Sequence, residues 1–227
     1  MRNSNNRWNC GAIAPCSVRA WLVALLACVA VAVLTGNSQA DTHTWVGNTG
    51  TLWSTADWNP PGAPVNGDLL IFDAAGSAGT SLTQDIATLT SFGGITFNST
   101  AAAYTITGTT AETLAGNITV NSANTQTLVM PIAISGARNV TVASGGKLVF
   151  GSTGTANAYS VNTGTTTFSG AGEISVLSNS TGSFKVSGAS PLDMSTLGRF
   201  TADVGVYSVV GTTTGTCTQG RRTKILT

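Results

Sequence analysis

Three of the chain's five tryptophans lie close together in residues 44–62, whose sequence is TWVGNTGTLWSTADWNPPG. The residues whose types and spacing most resemble a ligand site are Trp45, Trp53 and Trp58, because exposed indole faces can stack on sugar rings. The polar residues that would bond sugar hydroxyls are Asn48, Asp57 and Asn59. The second interpretation is structural, since large aromatic residues can also close the end of a fold. The sequence allows a carbohydrate platform but favours a cap.

Acid–base catalysis has few candidate residues. The single histidine, His43, lies next to the expected start of the mature chain, which leaves no histidine for a catalytic triad in the core. Asp68 and Asp73 flank LLIF five positions apart, so they should point to opposite faces of a strand. The other carboxylates are equally scattered: Asp57, Asp85, Glu112, Glu173, Asp193 and Asp203. We predict a non-catalytic protein, with a polysaccharide-degrading β-helix enzyme as a less favoured alternative.

Metal, cofactor and nucleic-acid sites have no signature in this sequence. Three of the four cysteines lie in the first 28 residues and Cys217 stands alone, so no disulfide framework or Cys/His metal site is predicted. Between residues 41 and 220, four basic residues stand against nine acidic ones, a net charge of −5. No basic patch interleaves with aromatic residues, which argues against nucleic-acid binding. We predict no metal and no cofactor.

Residues 1–40 have the pattern of a secretory signal peptide. Three arginines and no acidic residue precede an apolar run at 20–34, and Ser38 and Ala40 occupy the small-residue positions that a signal peptidase recognises. The run is shorter than the roughly 20 residues that span a bilayer, although an uncleaved N-terminal anchor is an alternative. We expect cleavage after Ala40, secretion or display at the outer surface, and membrane contact only through this segment.

Short strands are the elements that must position these residues. From residue 69 onward the sequence breaks into apolar–polar alternating pieces separated by Gly, Ser and Asn. The predicted strands are LLIF (69–72), GITF (94–97), YTIT (104–107), NITV (117–120), TLVM (127–130), IAIS (132–135), NVTV (139–142), KLVF (147–150), YSV (159–161), TTF (166–168), EISV (173–176) and FKVS (184–187). The triplets Ile95–Phe97, Ile118–Val120 and Val140–Val142 share an apolar–Thr–apolar pattern and recur at offsets of 23 and 22 residues. Short strands at such a period are typical of a parallel β-helix, in which each turn stacks on the one before. We predict an all-β parallel β-helix, with a β-sandwich as the alternative.

The predicted organisation has four parts. Residues 1–40 form the signal peptide, 41–68 a Trp-rich N-terminal cap region, 69–205 the solenoid turns, and 206–227 an irregular C-terminal segment. The last part holds a lone cysteine and the basic cluster RRTK, and this change of composition indicates a truncated or frame-shifted gene end.

The cap and the first repeats resemble the autotransporter-associated β-strand repeat proteins. In that family a Trp-x-Gly, a second Trp, an Asn-Trp or Asp-Trp and a Gly-Asp before a strand ending in Phe lead into the repeats. The matching positions here are Trp45, Gly47, Trp53, Asp57, Trp58, Gly67, Asp68 and Phe72. The later segment LVMPIAISGARNVTVASGGKLVFGS is similar to the repeat itself.

The resemblance covers about residues 44–190. It implies a secreted or surface-exposed bacterial passenger-like segment with a right-handed parallel β-helix and no catalytic residues. The role that it implies is structural or adhesive, and the expected partners are extracellular glycans or cell-surface components. The alternative function is carbohydrate binding through Trp45, Trp53 and Trp58.

Overall fold

A computed structural model of the chain describes residues 40–55, 57–187, 192–209, 213–214 and 217–219. These residues form strands and loops and no helix. In chain order the strands are β1 (Thr42–Trp45), β2 (Trp58–Asn59), β3 (Leu69–Phe72), β4 (Ser81–Gln84), β5 (Ser91–Phe92), β6 (Gly94–Phe97), β7 (Thr105–Gly108), β8 (Glu112–Leu114), β9 (Ile118–Val120), β10 (Thr125–Val129), β11 (Ile132–Ser135), β12 (Arg138–Val142), β13 (Lys147–Gly151), β14 (Ala158–Thr163), β15 (Thr166–Leu177), β16 (Ser183–Val186), β17 (Leu192–Asp203), β18 (Val206–Val209), β19 (Thr213–Thr214) and β20 (Cys217–Gln219). The predicted signal peptide, apart from Ala40, and most of the segment after residue 209 lie outside the described residues.

The strands wind into a parallel β-solenoid of about six turns, and each turn adds one strand to each of three faces. Face 1 contains β1, β3, β6, β9 and β12, face 2 contains β4, β7, β10 and β13, and face 3 contains β5, β8, β11, β14, β16 and β18. The long strands β15 and β17 pass round a corner, so their first halves belong to face 1 and their second halves to face 2. The predicted parallel β-helix is therefore confirmed.

The offsets of 22 and 23 residues in the sequence arise from the register in which the strands of face 1 pair. Ile118 pairs with Ile95 on one side and with Val140 on the other, which gives the offsets of 23 and 22 residues. All three side chains are buried, and the Thr between each apolar pair faces outward. Alternation directs every second side chain into a core shared by neighbouring turns.

The β-sandwich alternative is wrong because of how the strands pair. A sandwich is built from antiparallel strands in two facing sheets. Among the described strands, antiparallel pairing occurs only between β1 and β2, and every other pairing is parallel.

Glycines allow the backbone to stack closely at the corner that leads from face 3 into face 1. A Cβ atom on Gly116 would lie 1.5 Å from the carbonyl oxygen of Gly93, and one on Gly93 would lie 1.9 Å from that of Gly67. No side chain fits at such distances. Gly67, Gly93 and Gly116 are thus stacked on successive turns. This stack explains why NGDLLIF, FGGITF and AGNITV each place a glycine just before the strand.

Candidate functional sites in the cap and the core

The three tryptophans form one buried cluster at the N-terminal end of the solenoid. Trp45, Trp53 and Trp58 have relative exposures of 2%, 0% and 2%. The ring centre of Trp58 lies 4.9 Å from that of Trp45 and 5.5 Å from that of Trp53, both edge to face. Phe72 of the first complete turn packs against Trp53 and Trp58. A sugar stacks on an exposed ring face, and none of these three residues offers one, so the geometry favours the cap.

Asp57, which would bond sugar hydroxyls in the carbohydrate alternative, holds the cap loop together in the structure. Only 4% of it is exposed. Its Oδ1 accepts hydrogen bonds from the backbone nitrogens of Asn48 and Thr49, and both carboxylate oxygens accept from the Thr49 hydroxyl. Burial alone would raise the pKa of Asp57, but the bonds from Thr49, Asn48 and Gly50 hold that pKa below its usual value.

The cap also closes the strand edges of faces 1 and 2. On face 1, β2 pairs antiparallel with the outer edge of β1 and places Trp58 opposite Trp45. On face 2, Leu52 bridges to Thr83 of β4, and the backbone nitrogen of Trp53 donates to the Thr83 carbonyl at 3.0 Å. Unpaired backbone groups at a sheet edge can pair with another chain, and these contacts occupy them.

A side chain closes the edge of face 3. The Asn66 Oδ1 accepts hydrogen bonds from the backbone nitrogens of Thr90 and Ser91 at 2.7 and 3.2 Å. The backbone nitrogen of Gly67 then donates to the Ser91 carbonyl at 3.2 Å. On each of the three faces the outer edge of the first strand is therefore covered. The contact that covers it is of a different kind on each face.

Asp68 is a carboxylate buried beneath the start of β1, with only 1% of the residue exposed. Its Oδ1 accepts from the backbone nitrogen of Asp41 at 2.9 Å, and its Oδ2 accepts from that of Val65 at 2.7 Å. The His43 Nε2 lies 3.2 Å from Oδ2. The histidine, 7% exposed, lies within the cap and has the edge of its ring against Trp58.

Glu112 is a carboxyl group inside the solenoid core. It is 1% exposed and occupies the first inward position of β8, in register with Ile132 of β11. Gln84, also buried, donates its Nε2 to Glu112 Oε1, while Oε2 has no hydrogen-bond partner among the described residues. Burial raises the pKa of Glu112 to about 7, and the bond from Gln84 opposes that rise.

The corner between faces 1 and 2 carries a row of charges on successive turns. Lys147, Glu173 and Arg199 are in register on β13, β15 and β17. The Lys147 Nζ lies 2.8 Å from Glu173 Oε1, and the Arg199 Nη1 lies 3.8 Å from Oε2. The hydrogen bond from Lys147 holds the pKa of Glu173 below its usual value although burial opposes it. A groove of about 410 Å³ with a glycine-rich floor runs beside this row.

The remaining carboxylates of the first turn are held in local hydrogen bonds. Asp73 accepts from the Thr100 hydroxyl and from Asn98 Nδ2, and these bonds hold its pKa below the usual value against the effect of burial. Asp85 accepts from the backbone nitrogen of Ser54 at 2.9 Å and so ties the cap to face 2. Across the described ranges, no group of three or more His, Cys, Asp or Glu side chains could hold a metal ion.

The sequence places Glu112 and Asp68 among the scattered carboxylates and predicts a buried site for neither. In ETL, Glu112 and Leu114 are two positions apart with a Thr between them, so a strand that buries Leu114 also buries Glu112. Asp68 belonged to the family-like Gly-Asp pattern, but its partner at Asp41 is 27 residues away. No local pattern reveals a contact over that distance.

Comparison with known proteins identifies no relative: no family model, no curated protein and no solved structure matches the chain. The part of the chain that the structure describes contains no helix long and apolar enough to cross a membrane. The conclusions about function therefore depend on the sequence and on the geometry of the described residues.

Proposed function

We propose that the chain is an exported, non-catalytic β-solenoid with a structural or adhesive role outside the cell. The observation that carries the proposal is the parallel stack of about six turns, closed at its N-terminal end by its own Trp-rich residues. Kinship with the autotransporter-associated β-strand repeat proteins belongs to this proposal. The β-helix fold is compatible with it, and the resemblance in the cap supports it.

Rows of hydroxyl groups on the outside of the stack support an adhesive role. On face 1 five outward positions are aligned on successive turns: Thr96, Thr119, Thr141, Ser169 and Thr196. Neighbouring strands lie about 4.8 Å apart, so the hydroxyls repeat at that interval. The Thr141 and Ser169 hydroxyls are 3.1 Å apart. A regular uncharged row of donors and acceptors suits polar, uncharged partners such as extracellular glycans.

The positions of the carboxylates support a non-catalytic role. Asp57, Asp68, Asp73 and Asp85 already accept hydrogen bonds from the cap or from neighbouring loops. Glycoside hydrolysis requires two carboxyl groups facing a shared substrate cleft. Glu112, whose pKa would suit an acid, lies in the core away from any substrate.

Export and binding can be tested together on the full-length chain. We would express it with its own leader in a bacterial host, beside Leu25→Arg, which breaks the apolar run. We expect the unaltered chain outside the cytoplasm and the variant inside. The purified exported product should bind to polysaccharide-coated surfaces or whole cells without releasing reducing ends. Retention of the unaltered chain in the cytoplasm would refute export, and release of reducing ends would replace the adhesive role with an enzymatic one.

A further inference from the structure

We propose that the peptide bond between Ala40 and Asp41 is a processing site, and that the α-ammonium group released on Asp41 is bound by the buried carboxylate of Asp68. The inference rests on the proposed export and adds a role for the new N-terminus. Processing would thereby complete the cap.

The geometry around Asp68 provides the binding site. The Asp41 nitrogen lies 2.9 Å from Asp68 Oδ1, while Oδ2 accepts from the backbone nitrogen of Val65 and from His43 Nε2. Asp68 is 1% exposed, so water does little to solvate its charge.

Backbone pairing with Leu69 holds the Asp41 nitrogen in this place. The Asp41 carbonyl accepts a hydrogen bond from the backbone nitrogen of Leu69 at 2.8 Å, and Thr42 is in parallel register with Leu69. Ala40 and Asp41 are themselves exposed. A free amine at Asp41 can therefore keep the bond to Asp68 while its other hydrogens reach solvent.

The charges around Asp68 favour the processed N-terminus over the uncut peptide. In the uncut chain, the donors to Asp68 are two neutral backbone amides and a histidine that carries charge only when protonated. Hydrolysis by an endopeptidase breaks the C–N bond of Ala40–Asp41 with one water. The hydroxyl remains on Ala40 as a carboxylic acid, and the nitrogen of Asp41 takes up protons to become an ammonium group near neutral pH. A hydrogen bond from a neutral amide to the carboxylate becomes one between an ammonium group and the carboxylate, which adds the attraction of opposite charges.

The test uses the exported product of the full-length chain. Intact mass and N-terminal sequencing should place the first residue at Asp41. A matched control carries one Thr inserted between residues 40 and 41, so that the same cleavage leaves the amine one residue further out. Asp68→Asn is then made in both backgrounds, and urea unfolding is measured at pH 7. We expect Asp68→Asn to raise the unfolding equilibrium constant about tenfold more in the native-length chain than in the extended one.

Where Asp68→Asn does not fold, the two chains with Asp68 intact supply the result. The extended chain should have an unfolding constant about tenfold larger than the native-length chain. An exported product that begins at another residue overturns the inference, and so do equal constants in the two backgrounds. A chain that stays in the cytoplasm with its leader instead refutes the proposed export, so the two failures are distinguishable.

Discussion

Replacing Glu112 with Gln should change how the stability of this protein depends on pH. The Gln side chain has nearly the same shape and can still pair with the amide of Gln84, but it cannot ionise. Glu112 is buried in the core and its Oε2 has no partner among the described residues, so the ionised form is poorly solvated in the folded state. The substitution removes the titration and leaves the packing nearly unchanged.

The size and sign of the effect follow from the two pKa values. Burial raises the pKa of Glu112 from 4.5 to about 7 in the folded protein. Between these values the folded state holds a proton that the unfolded chain has lost, so the free energy of unfolding falls as the pH rises. Below pH 4.5 the contribution is fully present, and above pH 7 it is lost. At 1.36 kcal/mol per pKa unit the total change is roughly 3 kcal/mol.

Urea unfolding followed by tryptophan fluorescence measures this change, because the indoles of the cap are buried in the folded state. We expect the free energy of unfolding of Glu112→Gln, minus that of the unaltered protein, to rise by roughly 3 kcal/mol between pH 4.5 and pH 8. Taking the difference cancels every other titrating group.

Glu173→Gln is the matched control. The pKa of Glu173 is lowered, so the stabilisation it provides is lost only as the pH falls through the acid range. Its difference curve should stay level from pH 5 to pH 8. A level curve for Glu112→Gln as well would refute the reasoning.

Three further substitutions and one control, Gly154→Ala, test the cap, the corner glycines and the surface charges. Trp53→Ala should lower the free energy of unfolding in urea by roughly 3–5 kcal/mol, and a loss below about 1 kcal/mol would mean that the indole does not belong to the core. Gly116→Ala should cost about 3 kcal/mol or more in the same measurement, because its Cβ would overlap the Gly93 carbonyl. Gly154→Ala should be nearly neutral, because its Cβ would lie 3.9 Å from the Ser152 hydroxyl, an ordinary contact distance. Lys147→Ala should cost at most about 1 kcal/mol, less in 1 M salt, and a larger cost insensitive to salt would contradict a solvent-screened pair.

Strict alternation of apolar and polar residues was enough to predict four strands of face 1. β3, β6, β9 and β12 have apolar residues at both inward positions, and their pattern also revealed the period. β4 and β8 were missed because Gln84 and Glu112 place polar groups at inward positions. Hydrophobic alternation cannot recognise a strand whose buried residue is polar.

In the later turns, glycines led to a wrong prediction of where strands end. The sequence predicts two strands, TTF and EISV, with a turn between them. The structure has one strand, β15, that bends there. Gly170 has a φ of 94° and lies where the register with β17 shifts. A glycine in a solenoid can turn a corner without ending the strand, and a local reading of turn residues does not distinguish these cases.

The tryptophan cluster could be located from the sequence, but its exposure could not. Whether an indole is buried depends on what packs on both of its faces, and here the contacts are long-range. Trp58 meets Trp45 through the β1–β2 pairing, and Trp53 meets Phe72 of the next turn. The same Gly, Asn and Pro composition would surround an exposed platform, so only the tertiary contacts decide between the two.

The cap does more than cover apolar core. A parallel stack can extend wherever a strand edge is free, because the next strand needs only backbone partners. At the N-terminal end each face presents such an edge, and here an antiparallel strand, a single bridge at Leu52 and the side chain of Asn66 cover one each. The tryptophans belong to the first two of these contacts, since Trp45 and Trp58 are paired across β1 and β2 and Trp53 follows Leu52. The same segment therefore buries the indoles and closes the strand edges, which accounts for the three tryptophans of residues 44–62.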